Sequence, residues 1–371
     1  MGCRVDLRKS DMLMNTARSD NMQLSITIIA QEPWMPNKLR HVSGAGPDPN
    51  GIYRVMEEKG IFIDILDPLD GPWNLFGRAH PIFRSLDPIR AAKIIAKQRK
   101  CHLLISVFPS SLVSTLILRQ FVRHRVPIAV WDVAPSESWR LGRMIDNFVL
   151  PRVNHFFLLS SHQEKYIKHH WNRDANFYNV GQHVDTEFFY PSEVNSSSDY
   201  VLSVGDDAGR DFETLAEAVS LMDSQSAKFI LRTKREIMAP EWMMSRITLL
   251  KERVPFEQLR SLYQMSQFVV VPLHRSRNVS GVGTVLEAMA TGKGLIVSDS
   301  PTIRDYVVPN KTAIVVEPNN AKELASAIIH LQKNPDISSR LGMHARQFVL
   351  DNYSHRTFGV RMAAAIRHAV G

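Results

Sequence analysis

Short β-branched runs alternate along this chain with amphipathic stretches, the pattern of strands that alternate with helices. In the first half, Leu24–Ala30, Ile61–Leu66, Leu103–Val107 and Pro127–Trp131 read as strands. Ile52–Lys59 (closed by Gly60), Asp87–Lys100 and Ser111–His124 read as the helices between them. A second series begins after Tyr190-Pro191 and the polar linker Glu193–Asp199. Its strands are Tyr200–Gly205, Lys228–Arg232, Phe268–Pro272, Leu295–Val297 and Ala313–Val316; its helices include Asp211–Met222, Phe256–Met265 and Ala321–Lys333. Elements of these lengths in this order build parallel, doubly wound sheets. The expected fold is α/β, with Rossmann-like domains over residues 23–190 and 191–353 after a polar, methionine-rich leader at 1–22. Such sheets bind ligands at the carboxyl ends of their strands, so the cleft between the domains is the expected site.

Composition narrows this picture modestly. A chain of 371 residues, 44% hydrophobic and 22% charged, is a folded protein of two ordinary domains. No apolar run approaches the ~20 residues that span a bilayer. Cys3 and Cys101 lack metal-ligand spacing, and no signal-like segment follows the N-terminus, so a cytoplasmic setting is the simplest expectation. A net charge of +8 implies an anionic partner: a nucleoside diphosphate, an anionic membrane or nucleic acid. Nucleic acid is the least favoured, because no aromatic–basic platform accompanies the charge.

The most informative segment runs from Val271 to Val307. It reads as strand, glycine-bearing turn, helix, Gly292 stop and buried strand. Ser280-Gly281-Val282-Gly283 stands where the turn becomes the N-terminus of a helix expected over Thr284–Ala290. Glycines there let main-chain N–H groups approach an anion, and the helix dipole adds positive potential. Glu287, expected near the first turn, has lone pairs for two vicinal sugar hydroxyls. Together these residues suit a nucleoside diphosphate sugar.

Glu287-Ala288-Met289-Ala290-Thr291-Gly292 and the apolar strand after it resemble the nucleotide-sugar signature of GT-B glycosyltransferases, of the retaining family 4 type (glycosyl transferases group 1). Gly181-Gln182-His183-Val184-Asp185 through Pro191 resembles that family's crossover between domains, with Gln182-His183 in place of a tighter spacing. The likeness covers roughly residues 155–350. Its first acidic residue would fall at Val279, where this chain departs from the pattern. The resemblance implies a GT-B fold whose C-terminal helix, 354–371, crosses back onto the first domain. It also implies basic side chains on the donor diphosphate after the first strand of the second domain, where Gly205 and Arg210 stand and Asp206 occupies a position often held by arginine. Arg232 and Lys234, at the end of the next strand, are further candidates, and Arg246 with Leu250–Glu252 falls where the base is read.

On the acceptor side the family's histidine position reads Val130-Trp131-Asp132-Val133, so Asp132 is the candidate to orient or deprotonate an acceptor hydroxyl. His162 and His183 are alternatives, and Ser110, Ser111 and Ser136-Glu137 lie on neighbouring strand-end loops. His169, His170 and His274 show no metal spacing, and no cofactor is expected beyond the nucleotide-sugar substrate. Basic stretches Arg90–Lys100 and Leu118–Arg125 are compatible with contact to the inner face of an anionic membrane. The expected activity is metal-independent sugar transfer from a UDP- or GDP-sugar to a saccharide or lipid-linked saccharide, in cell-surface polysaccharide or glycolipid synthesis. A non-catalytic binding subunit, and an epimerase or hydrolase of the same fold, stay open as alternatives.

Overall fold

A computed structural model describes residues 22–29, 47–48, 51–66, 88–97, 100–123, 125–131, 140–171, 174–192, 199–223, 228–237, 245–275 and 279–371. Residues 1–21 of the expected leader, Asp132, Ser136-Glu137 and nearly all of the linker lie outside these residues.

The first sheet comprises β1 (Leu24–Ile29), β2 (Ile61–Leu66), β3 (Leu103–Ser106), β4 (Ile128–Trp131), β5 (His155–Leu158) and β6 (Asn176–Asn179). All pair in parallel in the order β2-β1-β3-β4-β5-β6. Its helices are α1 (Gly51–Glu58), α2 (Pro88–Lys97), α3 (Val113–Leu118), α4 (Arg140–Val149) and α5 (Ser161–Trp171). The helix expected over Ser111–His124 divides into a 3-10 turn at Pro109–Leu112, the short α3, and a second 3-10 turn at Arg119–Phe121. Pro109 sets the entry turn, and Val122 is already extended.

The second sheet comprises β7 (Tyr200–Val204), β8 (Lys228–Arg232), β9 (Ile247–Leu250), β10 (Phe268–Val271), β11 (Gly294–Ser298) and β12 (Ile314–Val316). They are parallel in the order β12-β11-β10-β7-β8-β9, which read from the other edge is the 3-2-1-4-5-6 winding of a Rossmann domain. The helices here are α6 (Phe212–Ser220), α7 (Phe256–Met265), α8 (Val282–Ala290), α9 (Ala321–Lys333) and α10 (Pro335–Asn352). Val269, Val270, Leu295 and Ile296 are fully buried because helices cover both faces of a parallel sheet.

The chain then returns. Helix α11 (His355–Val370), capped by the Ser354 side chain on the Thr357 N–H, places Phe358, Met362 and Ile366 in one core with Leu24, Ile26 and Ile52. The lobes are also tied at a polar seam. Asp305 accepts from Ser160 Oγ (2.8 Å), Ser161 N–H (2.7 Å) and Ser161 Oγ (2.9 Å). Tyr306 donates its hydroxyl to the Leu159 carbonyl and accepts from the Gln182 N–H at 2.9 Å. These bonds fix how the two strand-end surfaces face each other, and so shape the cleft.

Candidate functional site

The second sheet changes winding direction between β7 and β10, and both expected donor loops leave from that point. Gly281 turns the chain with φ of 76° and serves as N-cap of α8, so the helix begins at Val282, two residues earlier than expected. A Cβ on Gly281 would stand 2.9 Å from Leu273 Cδ2 and 3.1 Å from Val271 Cγ1, so both backbone angle and space require glycine. Among the described residues no side chain caps this N-terminus, and Val285 N–H to Gly281 O (3.0 Å) closes the first turn. The amides of Val282, Gly283 and Thr284 therefore point out of the helix start. Val282 is 1% exposed and contributes main chain only. Gly283 is the open position: a Cβ there would meet only Gln182 Nε2, at 4.0 Å, from the crossover segment. Ser280 packs on Gly209 of the neighbouring loop, where a Cβ would fall 2.2 Å from its Oγ.

The basic side chains are arranged differently from expectation. Arg210, expected on the donor diphosphate, is 2% exposed and lies beneath Gly205. Gly205 has φ of 154°, and a Cβ there would fall 2.1 Å from Arg210 Nε. Arg210 pairs with Asp207 (3.0 Å) and donates to Thr284 Oγ1 (2.6 Å), whose hydroxyl donates on to the Val204 carbonyl (3.2 Å). Its charge thus reaches the start of α8 from inside, through Thr284, and its Nη1 is buried without a partner among the described residues. Arg232 is also buried, bonded to Asp206 at 2.5 Å. Burial works to raise the Asp206 carboxyl, but the Lys234 N–H and Arg232 together hold it below its ordinary value. Lys234 itself is exposed, placed by its N–H to Asp206 Oδ1 (2.7 Å). Arg235 staples this loop through the carbonyls of Asp207, Ala208 and Arg210.

Glu287 sits in the second turn of α8, because that helix starts early. It accepts from Tyr263 Oη at 2.8 Å. Protein surrounds it, yet it keeps some accessible surface, as expected of a carboxylate in a cleft wall rather than a core. Burial pushes its carboxyl up to about 7, against the opposing pull of the Tyr263 hydrogen bond and the Arg210 charge. Tyr263, fully buried in α7, has no signal in the sequence that would mark it as a partner 24 residues from Glu287. Val279 packs as an apolar residue against the core of this lobe.

The acceptor-side candidates separate. Asp132 is outside the described residues, directly after Trp131 at the end of β4. His162, second residue of α5, is partly exposed, and its N–H donates to Ser160 Oγ (3.3 Å) beside the Asp305 seam. His183 packs 5.0 Å from the His355 ring and 4.6 Å from Phe358. Burial first, then the charges of His355 and Arg361, pull it down to about 3, and its Nδ1 is buried without a partner among the described residues. It is neutral at physiological pH and lines an apolar cavity of about 200 Å³. Sequence spacing offered His274 no companions, but folding brings it within 3.5 Å of Asp211 and close to Glu213. Asp211 already caps α6, accepting from Thr214 N–H (2.9 Å) and Oγ1 (2.7 Å), and we read the group as a helix cap.

The fold resembles solved structures over nearly its whole length. Sucrose-phosphate synthase of Thermosynechococcus elongatus matches 93% of this chain and 98% of its own, with a TM-score of 0.73 at 17% identity. Anabaena HepE, solved in complex with UDP and glucose, matches 93% of this chain and all of its own, with a TM-score of 0.67 at 13% identity. The architecture is accordingly GT-B: two Rossmann-like domains facing across a cleft. In sequence, residues 246–348 match the family described as glycosyl transferases group 1, so the site-bearing half of the chain carries a segment of that family. A 115-residue stretch is 30% identical to the GDP-mannose-dependent alpha-(1-6)-phosphatidylinositol monomannoside mannosyltransferase of Mycolicibacterium smegmatis, spanning 30% of either chain.

Proposed function

We propose that this protein is a retaining glycosyltransferase of the family 4 type, moving a sugar from a UDP- or GDP-sugar to a saccharide or lipid-linked saccharide. The observation that carries the reading is the uncapped start of α8 at the switch point of the second sheet, with Gly283 open toward Gln182. There the amides of Val282, Gly283 and Thr284 and the positive helix end receive the diphosphate. The same groups stabilise the charge that grows on the diphosphate as the bond to the sugar breaks. Arg210 reinforces that potential through Thr284, and exposed Lys234 adds a cation at the rim. Glu287 takes the ribose hydroxyls. This chemistry assigns the protein's own amides and cations, not a resident metal, to the leaving group.

The acceptor enters from the first sheet, whose own switch point lies between β1 and β3. The 200 Å³ cavity lies there, lined by Ile28, Ile105, Trp131, His183, Met362 and Ile366. An apolar cavity beside the strand that leads into Asp132 favours an acceptor with a lipid portion, and Asp132 is the residue we assign to its hydroxyl. Exposed Lys93 and Lys97 on α2 suit a peripheral position on the inner membrane face, where such acceptors for glycolipid or polysaccharide synthesis lie. The names of the similar proteins agree with this reading: one uses GDP-mannose on a phosphatidylinositol monomannoside, and another binds UDP and glucose.

Thermal stabilisation by UDP, GDP and ADP tests the donor site, since a ligand of the native state raises its melting point. Transfer from the matching nucleotide sugar, with the anomeric configuration of product read by NMR, tests activity and retention. No stabilisation by any of the three nucleotides would sink the proposal. Val279 in place of an acid favours one rival, a binding subunit without turnover. Any turnover of a nucleotide sugar excludes that rival.

A further inference from the structure

At the end of the first sheet away from the cleft, the amino ends of β4 and β5 border an open pocket of about 370 Å³. Its lining includes Arg119, Arg125 and Arg152, together with Asn154. Each arginine is steadied by a carbonyl, not a carboxylate. Arg119 Nη2 donates to Val126 O, Arg125 Nε to Val122 O (3.4 Å) and Arg152 Nη1 to Phe148 O (2.6 Å). Among the described residues none of the three has an ion-pair partner. Among the described residues Arg119 Nε is buried with no hydrogen-bond partner. Burial first, then the charge of Arg125, holds Arg119 below the ordinary arginine value.

Such an arrangement is unfavourable in the empty protein and becomes favourable when an anion fills it. The guanidinium is planar and forked, so it matches phosphate oxygens two at a time. Carbonyl anchors leave the remaining N–H edges available, and stacking of Arg152 on the Phe148 ring at 4.4 Å fixes one of them in advance. Asn154 uses Oδ1 to accept from the Ile128 N–H (3.1 Å), which leaves its amide N–H₂ as a further donor.

We propose that this pocket binds a phosphate-bearing group, held by Arg119, Arg125 and Arg152 at the opposite end of the sheet from the cleft. Two sources present that chemistry. Phe121 is 84% exposed and Ile117 45% exposed on the adjoining ledge, which points to phosphate on a lipid head group; a soluble phosphate has the same oxygens. The site does not depend on the donor reading.

Equilibrium titration with inorganic pyrophosphate, and flotation with phosphatidylcholine vesicles with and without phosphatidylglycerol, tests the assignment on the full chain. Arg125 and Arg152 are exposed, so the double variant Arg125→Gln/Arg152→Gln is expected to keep the fold. Loss of each charge-assisted bond weakens binding roughly tenfold, and loss of both roughly a hundredfold. Wild type is expected to bind two pyrophosphates, here and at α8, and the double variant one. If the donor site fails instead, the counts become one and none, which separates the two failures. Loss of pyrophosphate binding assigns a soluble ligand, and loss confined to phosphatidylglycerol vesicles assigns a lipid; either supports the pocket. Arg123→Gln removes an exposed charge outside the lining and should change neither. The proposal is overturned if the double variant binds both probes as wild type does, or if Arg123→Gln weakens them equally.

Discussion

Replacing Glu287 by glutamine should make the protein more stable at neutral pH while weakening its hold on the nucleotide. The carboxyl titrates at about 7 in the fold, against an ordinary value of 4.5. Between those values the folded state binds more protons than the unfolded state, so stability is fully present below pH 4.5 and falls as pH rises through 7. At 1.36 kcal/mol per pH unit, the loss reaches about 3 kcal/mol. Glutamine still accepts from Tyr263 Oη but never ionises. Glu287→Gln should therefore match wild type near pH 4.5 and exceed it above pH 7, by roughly 6–12 °C in melting point for a domain of this size. Differential scanning fluorimetry of both proteins across that range isolates the effect, because other titrating groups cancel in the difference. Two parallel melting curves would refute the reasoning. Ribose hydroxyls favour the ionised carboxylate, so wild-type nucleotide affinity should rise from pH 5.5 to 7.5 with proton release on binding. Calorimetry in two buffers of different ionisation enthalpy measures that release, and the variant should release fewer protons than wild type at the same pH.

Further substitutions separate fold from site. Gly283→Ala has room for its methyl and should gain about 0.5–1 kcal/mol of stability, yet it intrudes on the cleft and should weaken nucleotide binding at least about tenfold; unchanged affinity would remove Gly283 from the site. Arg210→Ala should lose about 2–4 kcal/mol in denaturant melts, mostly through packing lost beneath Gly205, because exposed Asp207 can be rehydrated. A variant as stable as wild type would show that this arginine is dispensable to the fold. His183 runs opposite in sign to Glu287: with its folded value about 3 and its ordinary value 6.5, the unfolded state binds the proton first, so stability falls as pH drops below 6.5. By pH 5 that amounts to about 2 kcal/mol, which His183→Leu should recover relative to wild type at neutral pH, as read by the same melts.

Periodicity and turn residues carried the architecture. Ile61–Leu66, Lys228–Arg232, Phe256–Met265 and Ala321–Lys333 have the observed bounds, because each is a locally consistent run closed by residues unable to continue it. The α8 turn was legible for the same reason, since glycine adjacent to a helical run marks a position where other residues are strained. Strands β5 and β6 carried no such signal: each has four residues, and Asn176 and Asn179 bracket the second. Three helices, α4, α5 and α10, likewise went unread. What the cations do was decided only by tertiary contact. Asp207 and Asp206 neutralise Arg210 and Arg232, Tyr263 meets Glu287, and Asp305 caps the start of α5 from the opposite lobe. Asp207 stands three residues from Arg210 on the same loop, but the other three partners arrive from different elements, so spacing along the chain does not announce them. Hydrophobic period is a property of neighbours in sequence, whereas the exposure and titration of a charged side chain depend on what the finished sheets bring beside it.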